Sequence, residues 1–255
     1  MKLLGNLSMD NKSISAKYLI LGLILLVCLV FSPKVYAEEA FYTNDNGVSL
    51  TEEEYEFIKM FYWDGYPALM TLEDYQEFHD TKVMESEVEV KEIFYGNDLI
   101  PYGTEFTTSY KSLKISKGCS SNCLISVTLQ WLTNPAVRSY DVIGAYIEGT
   151  TFANTPSTVV SSSTSANSIH DIRKESNGIG VSFELPSGSN VTINQSYRVN
   201  TGGHVYASYQ HAKKTSTLAK SKDYEFSYFG YGGVFLFGSG SEDIYDGMNG
   251  VDLAV

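Results

Sequence analysis

The run Cys123-Leu-Ile125-Ser-Val127-Thr-Leu129-Gln-Trp131 constrains the fold more than any other, because it is apolar at every odd position. A period of two sends alternate side chains to opposite faces, so this run predicts a β-strand buried on one side. Leu113 and Ile115 alternate in the same way just before it, and Cys119-Ser-Ser-Asn-Cys123 lies between. The two runs read as a hairpin with two cysteines at its turn. In an oxidising compartment so isolated a pair is expected to form a disulfide, Cys119–Cys123. Closing so short a loop contributes about 2 kcal/mol by chain entropy. A redox site favours Cys-x-x-Cys, and structural zinc needs two further ligands nearby.

The same period sets in near Val83 and persists. Glu87-Val88-Glu89-Val90 alternates, and further strands are expected near 138–147, 179–185, 191–199, 203–211, 224–229 and 233–237. Gly and Ser punctuate them, as at Pro186-Ser-Gly188 and Thr201-Gly-Gly203. Short strands with turns between them predict a mainly β fold, an antiparallel β-sandwich, over residues 83–255. The Ser/Thr-rich stretch 155–168 is expected to be a mobile loop between strands. A pore-forming hairpin would need an apolar face for lipid, and Ser161-Ser-Ser-Thr-Ser offers none.

Residues 38–82 follow a different grammar. Thr51 can cap a helix, Glu54 completes a capping box, and Leu50 and Tyr55 are placed for a hydrophobic staple. Thr71 and Asp74 repeat the arrangement. Tyr55, Ile58 and Tyr62 recur on one face, as do Tyr75 and Phe78, while Trp63-Asp64-Gly65-Tyr66-Pro67 interrupts the pattern. The expectation is a small acidic helical hairpin with an aromatic inner face. Helices this short need packing partners, so the rings form a mini-core, dock on the following domain, or present a recognition surface. Asn44, Asn46, Gly47 and Glu53 fall at the third, fifth, sixth and twelfth places of an EF-hand loop, the sixth being its turn glycine. Tyr42, however, stands where the first aspartate should bind, so Asn46-Gly47 reads as a turn.

Residues 1–37 read as a secretory signal peptide. Lys2, Lys12 and Lys17 precede an apolar run of 14 residues, Tyr18 to Phe31, and Val35-Tyr36-Ala37 suits cleavage after Ala37. At 1.5 Å per residue the run spans about 21 Å, short of the roughly 30 Å of a bilayer core. An uncleaved N-terminal anchor is the alternative. The chain is therefore expected to be secreted and extracellular, with cell-envelope association left open and no stable membrane insertion.

Charge divides the chain in two. From Glu38 to Tyr110 there are 18 Asp and Glu against three Lys, a net of −15; from Lys111 onward, 11 basic residues balance 11 acidic ones. That asymmetry argues for two units and against nucleic acid, which requires clustered Lys and Arg.

A resemblance crosses both units. Tyr42-Thr-Asn, Gly47-Val48, Leu50-Thr51, Glu54-Tyr55, Phe61-Tyr62 to Gly65-Tyr66, and Met70-Thr71 to Tyr75 resemble the mature start of secreted proteins of Gram-positive, clostridia-like bacteria with no assigned activity. It continues through Cys119 to Cys123, Trp131 and Arg138-Ser-Tyr-Asp-Val-Ile-Gly144. The resemblance implies export and a shared architecture, and brings no catalytic residues.

The usual catalytic apparatus is sparse. Of four histidines, His79, His170, His204 and His211, the last two share one predicted strand but point to opposite faces. His170-Asp171 reads as a solvated turn. Neither Gly-x-Ser-x-Gly nor His-Glu-x-x-His occurs. Asp243, Asp246, Asn249 and Asp252 read as an exposed acidic loop, with calcium as the sharper alternative. Tyrosines crowd the last strands, and alternation puts His204, Tyr206, Ser208 and Gln210 on the wetter face of one of them. Tyrosine offers an apolar ring with a polar tip, so that face is the candidate platform for a glycan or protein ligand. The expected function is non-catalytic binding without cofactor or metal. A hydrolase with an Asp/Glu pair and a membrane-active β toxin are the alternatives; carboxylates close together in a concave cleft would favour the hydrolase.

Overall fold

A computed structural model describes residues 40–95, 110–135, 137–154, 157–162, 169–212, 224–229, 233–237 and 245–255. The expected leader, residues 1–37, lies outside them. Two five-stranded antiparallel sheets pack face to face. In the first, the order is β3 (Val88–Tyr95), β4 (Lys111–Cys119), β5 (Asn122–Trp131), β10 (Thr192–Asn200) and β7 (Ser157–Ser161). In the second it is β14 (Tyr245–Ala254), β11 (His204–Ala212), β6 (Tyr140–Glu148), β9 (Gly178–Glu184) and β8 (Ile169–Lys174). The fold is mainly β, a sandwich preceded by a small helical region, as the periodicity implies.

The alternating run is the centre of the first sheet. Register sets Leu113 opposite Leu129, Ile115 opposite Val127 and Cys119 opposite Cys123. The odd residues of β5 enter the core with Ile193, Tyr197 and Val199 of β10, and meet Ile143, Val181, Phe183, Val205, Ala207, Tyr209 and Leu253 of the second sheet. Each such aliphatic side chain contributes about 1.5–3 kcal/mol by leaving water. The disulfide closes the β4–β5 turn.

The helical region covers the other face of the first sheet. A two-residue ladder of β1 (Tyr42–Thr43) and β2 (Ser49–Leu50) closes over Gly47, whose φ of 82° places it where glycine is at ease. Asn44 Oδ1 accepts from the backbone N–H groups of Asn46 and Val48. α1 (Glu52–Phe61) and α3 (Leu72–Asp80) each start with a complete capping box, on Thr51–Glu54 and Thr71–Asp74. The interrupting segment carries a helical turn of its own, α2 (Tyr66–Leu69), because Pro67 suits a first turn that needs no donor there. Two helices joined by a turn thus become three helical pieces. Phe61, Tyr62, Tyr66 and Phe78 form a second core with Val83 and with Leu124 of β5. Thr128 Oγ1 donates to the Tyr62 carbonyl at 3.2 Å, and Lys114 Nζ to the Met60 carbonyl at 3.0 Å. The aromatic residues are therefore a mini-core docked on the sheet. Residues 40–255 form one compact unit.

Glu54 fastens α1 to α3: its Oε1 accepts from Tyr75 OH at 3.1 Å and from His79 Nε2 at 2.9 Å. Burial, then the charge of Glu54, pushes the Tyr75 hydroxyl up to about 12. Its folded pKa thus exceeds the unfolded value of about 10, so its contribution to stability is complete below pH 10 and lost as pH rises through about 12. In an absorbance titration, Tyr75 should ionise in this late window, and Tyr75→Phe should remove that component.

Three segments depart from expectation. Within the Ser/Thr-rich stretch, Ser157–Ser161 is strand β7, since Thr158, Val159 and Val160 are β-branched and add to the edge of the first sheet beside β10. β8 follows in the opposite sheet; residues 155, 156 and 163–168, on which the releasable-hairpin reading also depends, lie outside the described residues. His170-Asp171 belongs to β8 and is no turn. The acidic C-terminus is strand β14: Val251 and Leu253 alternate into the core, and Asp252 faces solvent. Asp243 lies outside the described residues.

Candidate functional site

The residues singled out on β11 occupy the outer face of the second sheet. His204 lies exposed at the strand end, and its ring stacks on Tyr206 at 5.9 Å. Tyr206 is 8% exposed and donates through its hydroxyl to Glu148 Oε2 at 3.3 Å. Further along, Ser208 is only 2% exposed and Gln210 is half-buried. The hairpin of β12 (Tyr224–Phe229) and β13 (Gly233–Phe237) contacts β6, β9 and β11. The structure thus joins His204 and Tyr206 with Tyr146 and Glu148 at one end of the sheet, and places Ser208 deeper. The inward set, Val205, Ala207, Tyr209 and His211, is wholly buried.

A concavity lies where the helical region meets the end of the first sheet. Trp63, Asp64 and Gly65 come from the α1–α2 turn, Gln130 to Leu132 from the end of β5, Asn190 and Thr192 from the start of β10, and Ser161 and Ser162 from the end of β7. These residues enclose a cleft of about 540 Å³, within the range of small-ligand sites. Trp63 is held edge-on against Tyr66 at 4.7 Å, and a Cβ on Gly65 would come within 3.0 Å of its indole nitrogen. Asp64 and Asn190 are exposed, and Asn190 sits at φ 55°, a conformation asparagine tolerates. Both tryptophans of the chain, Trp63 and Trp131, line this one cleft.

A second concavity of about 590 Å³ carries carboxylates: Glu73, Asp74, Glu77 and Asp80, with Gln76, Asn154, Ser157 and Arg198. Most have work within the fold. Asp74 caps α3, Asp80 accepts from Gln76, and Glu77 meets Arg198 Nε at 3.0 Å and accepts from Asn154. Burial raises the pKa of Glu77, against the lowering pull of Arg198.

Beneath the first cleft lies a buried polar cluster. Asp141 accepts from Tyr209 OH, from His211 Nδ1 at 3.0 Å and from the Ala212 backbone N–H at 2.9 Å. Trp131 Nε1 donates to Tyr209 OH at 3.1 Å, and its ring meets His211 edge-on. The ammonium of wholly buried Lys111 lies 5.3–5.6 Å from the rings of Tyr110, Trp131 and Tyr209. Sequence reading isolated Trp131 and the Arg138-to-Gly144 stretch but gave Asp141 no role. Arg138 serves the same end of the sandwich by donating to the carbonyls of Pro186 and Gly188. Among the described residues, no group of three or more His, Cys, Asp or Glu could hold a metal.

No protein-family model matches the chain, and no curated protein matches it. Among solved structures, the collagen-binding domain of a Staphylococcus aureus adhesin is similar at a TM-score of 0.26 and 14% identity, over 34% of this chain and 74% of that one. A collagen-binding subdomain of an Enterococcus faecalis surface protein is similar at 0.28 and 10%, over 36% and 77%. The pilus backbone of Streptococcus pneumoniae follows at 0.31 and 9%, over 50% of this chain and 32% of that one. At such TM-scores these likenesses carry no argument about what this chain does.

Proposed function

We propose that this chain is an exported, non-catalytic binding protein of the bacterial surface or its surroundings, and that the cleft beside Trp63 takes a saccharide ligand. The cleft carries the reading. It sets an exposed carboxylate, two amides and hydroxyls around the rim of Trp63, which is itself only 6% exposed, and sugar recognition rests on several fixed hydrogen-bonding groups beside an aromatic edge. Three of its walls are strand ends tied by backbone ladders, so the groups are held before a ligand arrives. Export rests on the leader-like residues 1–37, and the bacterial setting on the resemblance of the Tyr42–Tyr75 segment.

Because both tryptophans line the cleft, intrinsic fluorescence reports on it directly. Titrating oligosaccharides into the chain from Ala40 to Val255 should give a saturable change in tryptophan emission. Gln130→Ala and Asn190→Gly should weaken binding about tenfold or more, the cost of one lost hydrogen bond to a buried ligand. Emission that never responds to any saccharide would remove the proposal.

The carboxylate-lined concavity favours a second reading, a hydrolase in which Glu77, raised by burial, is the acid. Hydrolysis of a glycan that disappears in Glu77→Gln would install that reading in place of the first.

A further inference from the structure

We propose that the Trp63 cleft selects a saccharide carrying a protonated amine, an amino sugar unsubstituted at nitrogen, and that Asp64 is the residue that selects it. This inference rests on the saccharide reading and narrows it. Asp64 is the one charged residue in the cleft lining. It is exposed and, among the described residues, makes no hydrogen bond and no ion pair. It precedes α2 without capping it. The two ammonium groups whose charge it feels are engaged elsewhere: Lys59 donates to Glu56 at 3.0 Å, and Lys114 to the Met60 carbonyl at 3.0 Å. In the other concavity, by contrast, Asp74, Glu77 and Asp80 are all bonded within the fold.

A ligand seated in the cleft displaces water from Asp64, and a carboxylate deprived of water without a partner is costly. A sugar hydroxyl or an acetylated nitrogen returns one ordinary hydrogen bond. An ammonium returns a charge-assisted one, about twice as strong. A uronic acid brings a second carboxylate and is repelled. The surroundings act in the same direction: residues 38–110, which include Trp63 to Gly65, carry 18 Asp and Glu against three Lys. Such an acidic field gathers cations and turns anions away. The amides of Gln130 and Asn190 and the hydroxyls of Ser161 and Thr192 remain for the sugar's own hydroxyls.

The test titrates tryptophan emission of the chain from Ala40 to Val255 with an oligomer of glucosamine, its fully N-acetylated counterpart of equal length, and an oligogalacturonate. At low salt the glucosamine oligomer should bind about fivefold more tightly than the acetylated one, and the oligogalacturonate least tightly. The gap should narrow at about 1 M salt, where the screening length falls to about 3 Å. Asp64→Asn should close the gap, whereas Glu53→Gln, the same change of charge at the far end of α1, should leave it open. An acetylated oligomer bound as tightly as the free amine overturns this inference and leaves the cleft reading standing. So does a gap that survives Asp64→Asn or that Glu53→Gln closes equally, and so does emission moved by another glycan but by neither glucosamine oligomer. Emission that responds to no saccharide overturns both.

Discussion

Asp141→Ala is expected to cost about 3–5 kcal/mol of folding stability, read as a lower denaturant midpoint at unchanged slope. Asp141 is wholly buried and accepts from Tyr209, His211 and the Ala212 backbone. Removing it leaves these donors in a dry interior, where each unmet group costs about 1–3 kcal/mol. It also removes a negative charge from the cluster that holds the buried Lys111 ammonium among three rings. Against a total stability of about 5–15 kcal/mol for a typical domain, that loss is a large share. Asp141→Asn keeps one acceptor in place and should cost less. A loss below about 1 kcal/mol for the alanine variant would mean that water or a neighbour replaces the carboxylate.

Gly203→Ala is expected to cost about 3 kcal/mol, from strain and overpacking together. Gly203 holds φ at +145°, and a Cβ there would lie 2.3 Å from the Glu148 carbonyl oxygen and 2.8 Å from the Gly149 carbonyl carbon. Both are backbone atoms of the β6 end, so relief requires β10, β11 and β6 to separate at that corner. Gly202 is the control: its φ is +90° but no atom lies within 4 Å of where its Cβ would be. Gly202→Ala should therefore cost only the conformational term, about 1 kcal/mol. Equal melting temperatures for the two variants would show that the β10–β11 turn yields freely.

Local chemistry explains which features could be read in advance. The alternation of residues 123–131, the two capping boxes and the Asn46-Gly47 turn are each specified within about ten residues, and each forms as its sequence implies. β7, β8 and β14 were harder because edge strands need only one paired side and tolerate Ser, Thr and Asp. Even so, Val251 and Leu253 carry a period of two among the nearby aspartates. The cleft could not be read at all. Its lining comes from four segments between Trp63 and Thr192, and only the docking of the helical region on the outer face of the first sheet assembles them. The hidden contact is polar as well as aromatic: Asn194 reaches Ser126 and Thr128, and Thr128 reaches the Tyr62 carbonyl. A strand face of Ser, Thr and Asn looks solvent-exposed in sequence, so its cover was not foreseeable. Trp131 ends the alternating run, and Asp141 lies in the Arg138-to-Gly144 stretch that carries the resemblance, but neither position announces a buried polar cluster. Their shared purpose depends on Tyr209 and His211, which alternation alone sends inward.

A glycan-array screen of the chain from Ala40 to Val255 tests the central claim most directly, run beside Asn190→Gly and Tyr206→Ala. Saturable binding to a defined glycan, lost in Asn190→Gly and kept in Tyr206→Ala, is the predicted result and places the ligand in the Trp63 cleft. Binding lost in Tyr206→Ala alone would move the site to the His204–Tyr206 end of the second sheet. A blank array would contradict a saccharide ligand altogether.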